Sequence, residues 1–495
     1  MRRLFKSVIL ITLTITITVP SFGQDKKSDL KILYVGANPD KPLSEREKRY
    51  ALNPERKLEL QKRRATDFNN FLKQYFQFVT VIYGDEYTET MSADFDVTII
   101  DTYLKHYGGG YERDSTGQVT GYKPRKYLTE NFDYATIMIG EPSAFIGEGR
   151  QLKIDHLCLC LDAHAHSMKT EHVIFNKPFK VDISYEERET PGSFKARYSG
   201  RNLGKKMKMW RIQTEGYLDG KGFPIGLVST GYGFENGIDA EWISGGVNSK
   251  GVIATALGRH ANFFHWGFAA APEYMTSSAK LAFINAIHYI AQFKGEQQIT
   301  RKIKMMPLRQ YEREQQWTVS DRGSEAWLHY VNKDTLRQRL NKEKAQKKQK
   351  AGEKLNELEK IHLQMPIRKE TREWTIRHEP DKRKEAFGKD WVKYENFYKE
   401  NMGYLYPVTY KHYYKTDVDK DAKALGIPNN DIKLLDTAVN MLLKGDRVDM
   451  AKRLLIRYTG ESFESVNDWE KWLKKNRSRL YFSEGDGYKY IVLPD

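Results

Sequence analysis

The stretch CLCLDAHAHSM, residues 158–168, brings two cysteines, an aspartate and two histidines together at the end of a short apolar run. Alternate residues of an extended chain share a face, so His164 and His166 could address one divalent ion, with Asp162 as a third ligand or as a partner that orients a ligating ring. His172 is close enough in sequence to contribute. Two other readings stand beside the metal: a polar site without one, and hydrogen bonding that only holds the fold. If the strand ends near Leu161, these groups lie at or past its carboxyl end, where open α/β sheets bind their ligands. Cys158 and Cys160 would share a face, and a bridge between them would be strained. They are expected to be small buried apolar residues, although export would permit oxidation.

A second cluster is LGRHANFFHWGF, residues 257–268. It follows a strand that should end at Leu257 or Gly258, so Arg259 and His260 are expected on the same carboxyl rim. Imidazole titrates near neutral pH, which makes His260 the leading candidate for a general base or a ligand; donation to a backbone carbonyl is the competing use. Arg259 suits a carboxylate or phosphate held through two parallel hydrogen bonds. His265 and Trp266, with Phe263 and Phe264, could wall a sugar, and a row of aromatics fits a core equally well. Glu141 follows the apolar run YATIMIG and could act as general acid or base, or serve a turn ahead of Pro142. Asp101, closing DVTII, has the same two readings. The expected catalytic set is His260, Glu141 and Asp162, with Arg259, His265 and Trp266 on the substrate and His164 and His166 on a metal.

These residues need a scaffold, and the pattern between Lys31 and Phe293 supplies one. KILYVGA, FVTVIYG, FDVTIID, YATIMIG and HLCLCLD read as near-continuous apolar strands, separated by helical or long connections such as RATDFNNFLKQYF. That is the pattern of a parallel sheet covered on both faces, an α/β doubly wound fold. Residues 105–126, rich in glycine and polar groups, interrupt it as a surface insertion. TSSAKLAFINAIHYIAQF closes the domain as a helix with Thr276 as N-cap and a broad apolar face.

The chain begins with Arg2, Arg3 and Lys6 ahead of an uncharged run from Ser7 to Val19, with Ser21 and Gly23 at cleavage-site positions. Residues 1–23 are therefore expected to be a secretory signal peptide and the protein to be periplasmic or secreted. That run is shorter than the roughly 20 residues of a membrane-spanning helix, and no transmembrane segment is expected in the mature chain.

Formal charge over 495 residues is +16, and residues 301–400 alone carry 26 Lys and Arg against 17 Asp and Glu. The excess is thus concentrated in one segment, which argues against a nucleic-acid partner and, for an exported protein, toward acidic polysaccharide or an anionic membrane surface. A charged solvated helix accounts for the same residues. The segment from Asn332 to Pro366 predicts one long exposed helix, in which Leu355, Leu358, His362 and Met365 form a narrow stripe. DIKLLDTAVNMLLKG, RVDMAKRLLIRYTG and SVNDWEKWLKKNRSRLYF predict three further helices, and the terminal GYKYIVLPD a short docked strand. The expected division is an α/β domain over 24–295, a basic, largely helical linker over 296–390 and a helical C-terminal domain over 391–495.

The first strand KILYVGA, the strand LCLCLDAHA, the HVIF after it and the block GVIATALGRH together resemble the ThuA-like (trehalose-utilisation) family of the class I glutamine amidotransferase-like superfamily. The resemblance covers a little over half the chain and implies a flavodoxin-like fold and a role in carbohydrate metabolism. Val252 stands where that family usually has a basic residue, and Arg259 splits its Gly-His pair. Amidotransferase chemistry needs a cysteine on a strand-to-helix elbow, and the turn IGEPSAF offers Glu141 instead. The chain also lacks GxSxG, P-loop and GxGxxG motifs. Two functions follow: a saccharide enzyme with Glu141, Asp162, His164, His166 and His260 lining one pocket and a divalent metal possible, or a non-catalytic module that binds glycan or another envelope component through the basic helical segment and the C-terminal bundle. Convergence of Asp162, His164 and His260 would mark the enzyme; the module needs none. Oligomeric state is not read from the sequence.

Overall fold

A computed structural model describes residues 27–494, apart from 44, 46–47, 49–53, 215–225, 235–236, 303–308, 368, 378 and 410–413. The expected signal peptide lies outside the described residues. Strand β1 (Ser28–Gly36) shows how the α/β domain is built. Successive side chains of a strand point to opposite faces. Ile32 and Tyr34 accordingly enter one core, with Phe68, Phe71 and Leu72 of helix α1 (Pro54–Leu72) and with Phe283 and Ile287. Leu33 and Val35 enter a second core on the other face, with Ile100, Met138, Ile146 and Phe263. A strand buried on both faces must read as an unbroken apolar run, which is what Ile32, Leu33, Tyr34 and Val35 do.

Around β1 lie β2 (Phe76–Tyr83), β3 (Val97–Ile100) and, past an antiparallel hairpin of β4 (Gly108–Arg113) and β5 (Val119–Lys126), strand β6 (Thr136–Ile139). Helix α2 (Pro142–Arg150) follows β6 directly. Next come β7 (Cys158–Leu161), β8 (His164–His166), β9 (Tyr185–Glu189), β10 (Lys206–Arg211), β11 (Gly226–Val228), β12 (Ala240–Gly246), β13 (Thr255–His260) and β14 (Phe263–Trp266). Helix α3 (Ser277–Ala291) closes the domain, with the Thr276 side chain accepting from the Ala279 N–H as expected.

Ten strands form one sheet in the order β2-β1-β3-β6-β14-β13-β12-β8-β10-β9. Its first half, β2 through β14, is parallel; from β14 to β9 every pairing is antiparallel. The domain is thus α/β with a large mixed sheet, and the wholly parallel sheet expected from sequence is corrected. The reason is connection length. Only Ala261 and Asn262 separate β13 from β14, and so short a link permits only an antiparallel return.

The run CLCL is also displaced from expectation. Strand β7 pairs with β11 in a separate two-stranded ladder, and β8 alone joins the main sheet. Cys158 and Cys160, with Cα atoms 5.4 Å apart, are joined as a disulfide, so they are not the free apolar cysteines expected. The spacing that puts both side chains on one face is what brings the sulfurs together.

Beyond α3, helix α4 (Arg309–Val319) leads into α5 (Asp321–Lys350), capped by the Ser320 side chain on the Gly323 N–H. The single long helix predicted to Pro366 is instead a helical hairpin. It breaks at Gly352, which takes a left-handed backbone (φ +71°), and restarts as α6 (Glu357–Gln364). Asn356 and Glu359 form a capping box at the restart; such a box is written in sequence as Asn-x-x-Glu.

Helices α7 (Asp381–Phe387) and α8 (Trp391–Asn401) follow. A small core then joins Val319 and Ile376 to Tyr394, Tyr398 and Leu405, so the expected linker and the start of the C-terminal domain share an interior. The three predicted C-terminal helices occur as Lys433–Lys444, Val448–Thr459 and Val466–Asn476. They pack through Leu435, Val439, Leu454, Tyr458 and Trp469, with Tyr490 of the terminal strand against them. No described helix is long and apolar enough to cross a membrane.

Candidate functional site

Strand direction decides where each expected residue opens. Strand β14 runs parallel to β6, and β13 runs against both, with His260 opposite Phe263, which in turn lies opposite Thr136 at the start of β6. His260 and Arg259 therefore lie at the amino edge of the parallel strands. Asp101 and Glu141 follow the last residues of β3 and β6, at the carboxyl edge. Strand β8 starts at the carboxyl edge, since it runs against β12, and so Asp162 and His164 share that edge with Glu141. Four strand spacings still separate β8 from β6, roughly 19 Å at about 4.8 Å each. Asp162, His164 and His260 do not converge.

At the amino edge the polar groups are used up by the protein itself. His260 is fully buried and accepts at Nδ1 from the Lys153 N–H (2.8 Å), which leaves its Nε2–H facing Asp239 and Thr300. Asp239 also accepts from the Ile299 N–H (2.6 Å) and the Thr300 N–H (3.0 Å). Burial lowers the pKa of His260 against the pull of Asp239. Arg259 donates to the Tyr289 hydroxyl (3.0 Å), the Ala261 carbonyl (3.0 Å) and Glu241 (2.9 Å), and its guanidinium lies 3.8 Å over the Phe293 ring. Glu241 accepts from Tyr289 as well and meets His172 Nε2 at 3.2 Å. Beside this cluster an open groove is lined by Val173, Lys177, Pro178, His288, Tyr289 and Gln292, none of them an expected site residue.

The other histidines expected at the site, His164, His166 and His265, are also interior. His265 donates from Nε2 to the Leu227 carbonyl (3.1 Å) and accepts at Nδ1 from the Ser143 hydroxyl (2.7 Å). His166 donates to the Gly246 carbonyl (3.1 Å) and meets Ser167 Oγ at 3.2 Å. Both are fully buried, and burial lowers each pKa to about 4, so both rings are neutral at pH 7. The His166 ring fixes its neighbour: a Cβ on Gly245 would fall 2.3 Å from Cε1, so only glycine fits there. His164 faces Glu186 at 3.2 Å, while its buried Nδ1 has no hydrogen-bonding partner among the described residues. Burial is the main cause of its lowered pKa, with Arg188 and Arg211 adding to it. Among the described residues no three His, Cys, Asp or Glu side chains gather as a metal site would need. Trp266 is buried edge-on against Phe283 in the main core and is not exposed to a sugar.

The carboxyl edge is organised differently. Asp101 takes two hydrogen bonds from Arg64, 2.6 Å from Nε and 2.8 Å from Nη2, and a third from the Tyr34 hydroxyl. Arg64 also donates to the Ala269 carbonyl (2.8 Å), tying α1 to the ends of β1, β3 and β14. Asp162 accepts from the N–H of its own neighbour Ala163 (2.8 Å). Glu141 stands at the first turn of α2 and accepts from the Tyr103 hydroxyl. Tyr103 stacks on Phe145 of α2, with centroids 4.8 Å apart.

From there the β4–β5 hairpin continues the aromatic row along α2. Tyr111 and Tyr122 face each other across the ladder with centroids 5.2 Å apart, and the Tyr122 hydroxyl donates to Glu148 (3.3 Å). Tyr103, Tyr107, Tyr111 and Tyr122 are 56%, 57%, 63% and 44% exposed, a concentration of open aromatic surface. Sequence reasoning passed over these tyrosines because the Gly-rich stretch looked like mere insertion; the signal in it was four tyrosines, 103, 107, 111 and 122, in twenty residues of otherwise polar chain.

The chain matches no family model, curated protein or solved structure. Exposed tyrosine faces with carboxylates beside them can stack on the apolar face of a ring while accepting hydrogen bonds from its hydroxyls.

Proposed function

We propose that this protein is an exported, ThuA-like saccharide-binding module that holds glycan on the tyrosine ledge of its β4–β5 hairpin. The observation that carries this reading is the open row Tyr103, Tyr107, Tyr111 and Tyr122 beside Glu141 and Glu148. A monomeric surface seldom leaves so much aromatic area uncovered without a ligand for it. Sugar rings offer the complementary pair, a C–H face for the tyrosines and hydroxyls for the carboxylates. The catalytic alternative needs convergent acid, base or metal ligands, and the histidines that would supply them are buried on other parts of the sheet. The ThuA-like, flavodoxin-like assignment draws support from the parallel half of the sheet, whose order β2-β1-β3-β6-β14 is the doubly wound 2-1-3-4-5 arrangement. Export rests on the N-terminal sequence.

The test is calorimetric titration of the mature protein with neutral and uronic-acid oligosaccharides, beside a Tyr111→Ala, Tyr122→Ala variant. Binding by the parent that falls at least about tenfold in the variant, with the melting temperature within a few degrees of the parent, supports the ledge. Binding that ignores the variant, or no binding to any oligosaccharide, overturns it.

A further inference from the structure

The second unassigned surface is the helical hairpin of α5 and α6. Its root is fixed. Trp327 stacks on Trp374 with centroids 4.7 Å apart and lies under the Arg197 guanidinium, and Asn332 exchanges two hydrogen bonds with the backbone of Glu370. Further out the two helices hold each other: Ala345 is buried between them, Lys348 pairs with Glu359 (2.6 Å), and Lys342 donates to the Met365 carbonyl (3.0 Å).

What this arm exposes is unusual in combination. Leu358, Ile361 and Met365, at i, i+3 and i+7 of one helical face, are 55%, 42% and 45% exposed. Of the stripe named from sequence, Leu355, Leu358, His362 and Met365, the structure leaves Leu358 and Met365 open and half-buries the other two. Residues 333–354, which include the distal half of α5 and the turn, carry nine Lys and Arg against three Asp and Glu. A solvated helix has no use for the apolar stripe, and an internal packing face has no use for the charge. A lipid surface with anionic headgroups uses both, taking the apolar side chains at its interface and the lysines at its phosphates.

We infer that the α5–α6 arm is a docking surface for an anionic lipid bilayer, with Leu358, Ile361 and Met365 seated at the headgroup boundary and the lysines of the distal α5 helix around them. This holds the rest of the molecule at a membrane face without a spanning segment, and it is independent of whether the tyrosine ledge binds sugar.

The experiment is co-sedimentation of the full mature chain with vesicles of phosphatidylcholine alone, and of phosphatidylcholine with phosphatidylglycerol in equal parts. The parent should pellet with the anionic vesicles and stay in solution with the neutral ones. Lys344→Gln with Lys347→Gln should weaken the partition about thirty-fold, at roughly 1 kcal/mol for each lysine near an anionic surface. Leu358→Gln, Ile361→Gln, Met365→Gln should weaken it at least as much. No pelleting with anionic vesicles, equal pelleting with neutral ones, or indifference to the α6 triple variant would overturn the inference. So would parent binding to a soluble polyuronate that matches vesicle binding and survives the triple variant, which would make the arm a polysaccharide contact. All substituted side chains are exposed, and circular dichroism of each variant establishes that a loss reflects the surface and not the fold.

Discussion

The two edges of the central sheet carry similar residue types and treat them in opposite ways. At the amino edge His260 and Arg259, both named from the sequence, are consumed by the protein: His260 faces Asp239, which also gathers two backbone N–H donors and a hydroxyl, while Arg259 spends its donors on Tyr289, Ala261 and Glu241. At the carboxyl edge the inner layer is equally occupied, with Arg64 and Tyr34 on Asp101, but the outer layer turns aromatic faces to water. The lesson is that residue type and spacing nominate a group for chemistry, and only its partners decide whether it is free to perform any. A buried, fully partnered histidine is a structural element whatever its pKa in water.

The sharpest way to break the comparison is Asp239→Ala. Four donors would lose their acceptor inside a buried site, and removing one partner of such a network costs about 3–5 kcal/mol. Chemical denaturation should show that loss, and the variant should bind sugar as the parent does wherever it remains folded. A loss below about 1 kcal/mol would mean that the amino edge is far wetter than its hydrogen bonding implies.

The next effect comes from pH. His166 and His265 have folded pKa values of about 4, below the roughly 6.5 of the unfolded chain. The unfolded state then binds the extra protons, so stability is complete above pH 6.5 and is lost as the pH falls from there toward 4. At 1.36 kcal/mol per unit the cost is about 3 kcal/mol for each ring. Melting temperature measured across that window should fall steeply, and a His265→Gln variant, less stable at pH 7, should fall less. An unchanged slope in that variant would show that the ring is not held neutral.

Particular residues show how far the sequence alone carries. The α/β class, the core strands around β1, the Thr276 cap and the three C-terminal helices were legible because each is a local pattern of apolar spacing and end residues. The hairpin break at Gly352 was also local, written in Asn356 and Glu359, and was missed because the charge pairs on either side read as one continuous helix. Strand direction was not local. His260 was expected on the carboxyl rim from the strand it ends, but which edge that strand ends on depends on β13 running against β14, and the two-residue link between them is the single clue. The pairing of His265 with Ser143 likewise depends on packing that spacing does not encode.

The smallest effect sharpens the other side of the comparison. Tyr111 and Tyr122 sit directly opposite each other in the β4–β5 ladder, with rings 5.2 Å apart. A cross-strand aromatic pair contributes roughly 0.2–1 kcal/mol, and here it contributes to a hairpin that lies outside both main cores. Tyr111→Ala should therefore leave global stability almost untouched while speeding amide exchange within Gly108–Lys126 several-fold, because the hairpin opens locally without unfolding the domain. If the substitution instead lowered global stability by about 2 kcal/mol or more, the tyrosine would be a core residue in all but exposure. The row would then need no ligand to explain it. Only a ledge whose side chains cost the fold almost nothing to lose is available to be kept for binding.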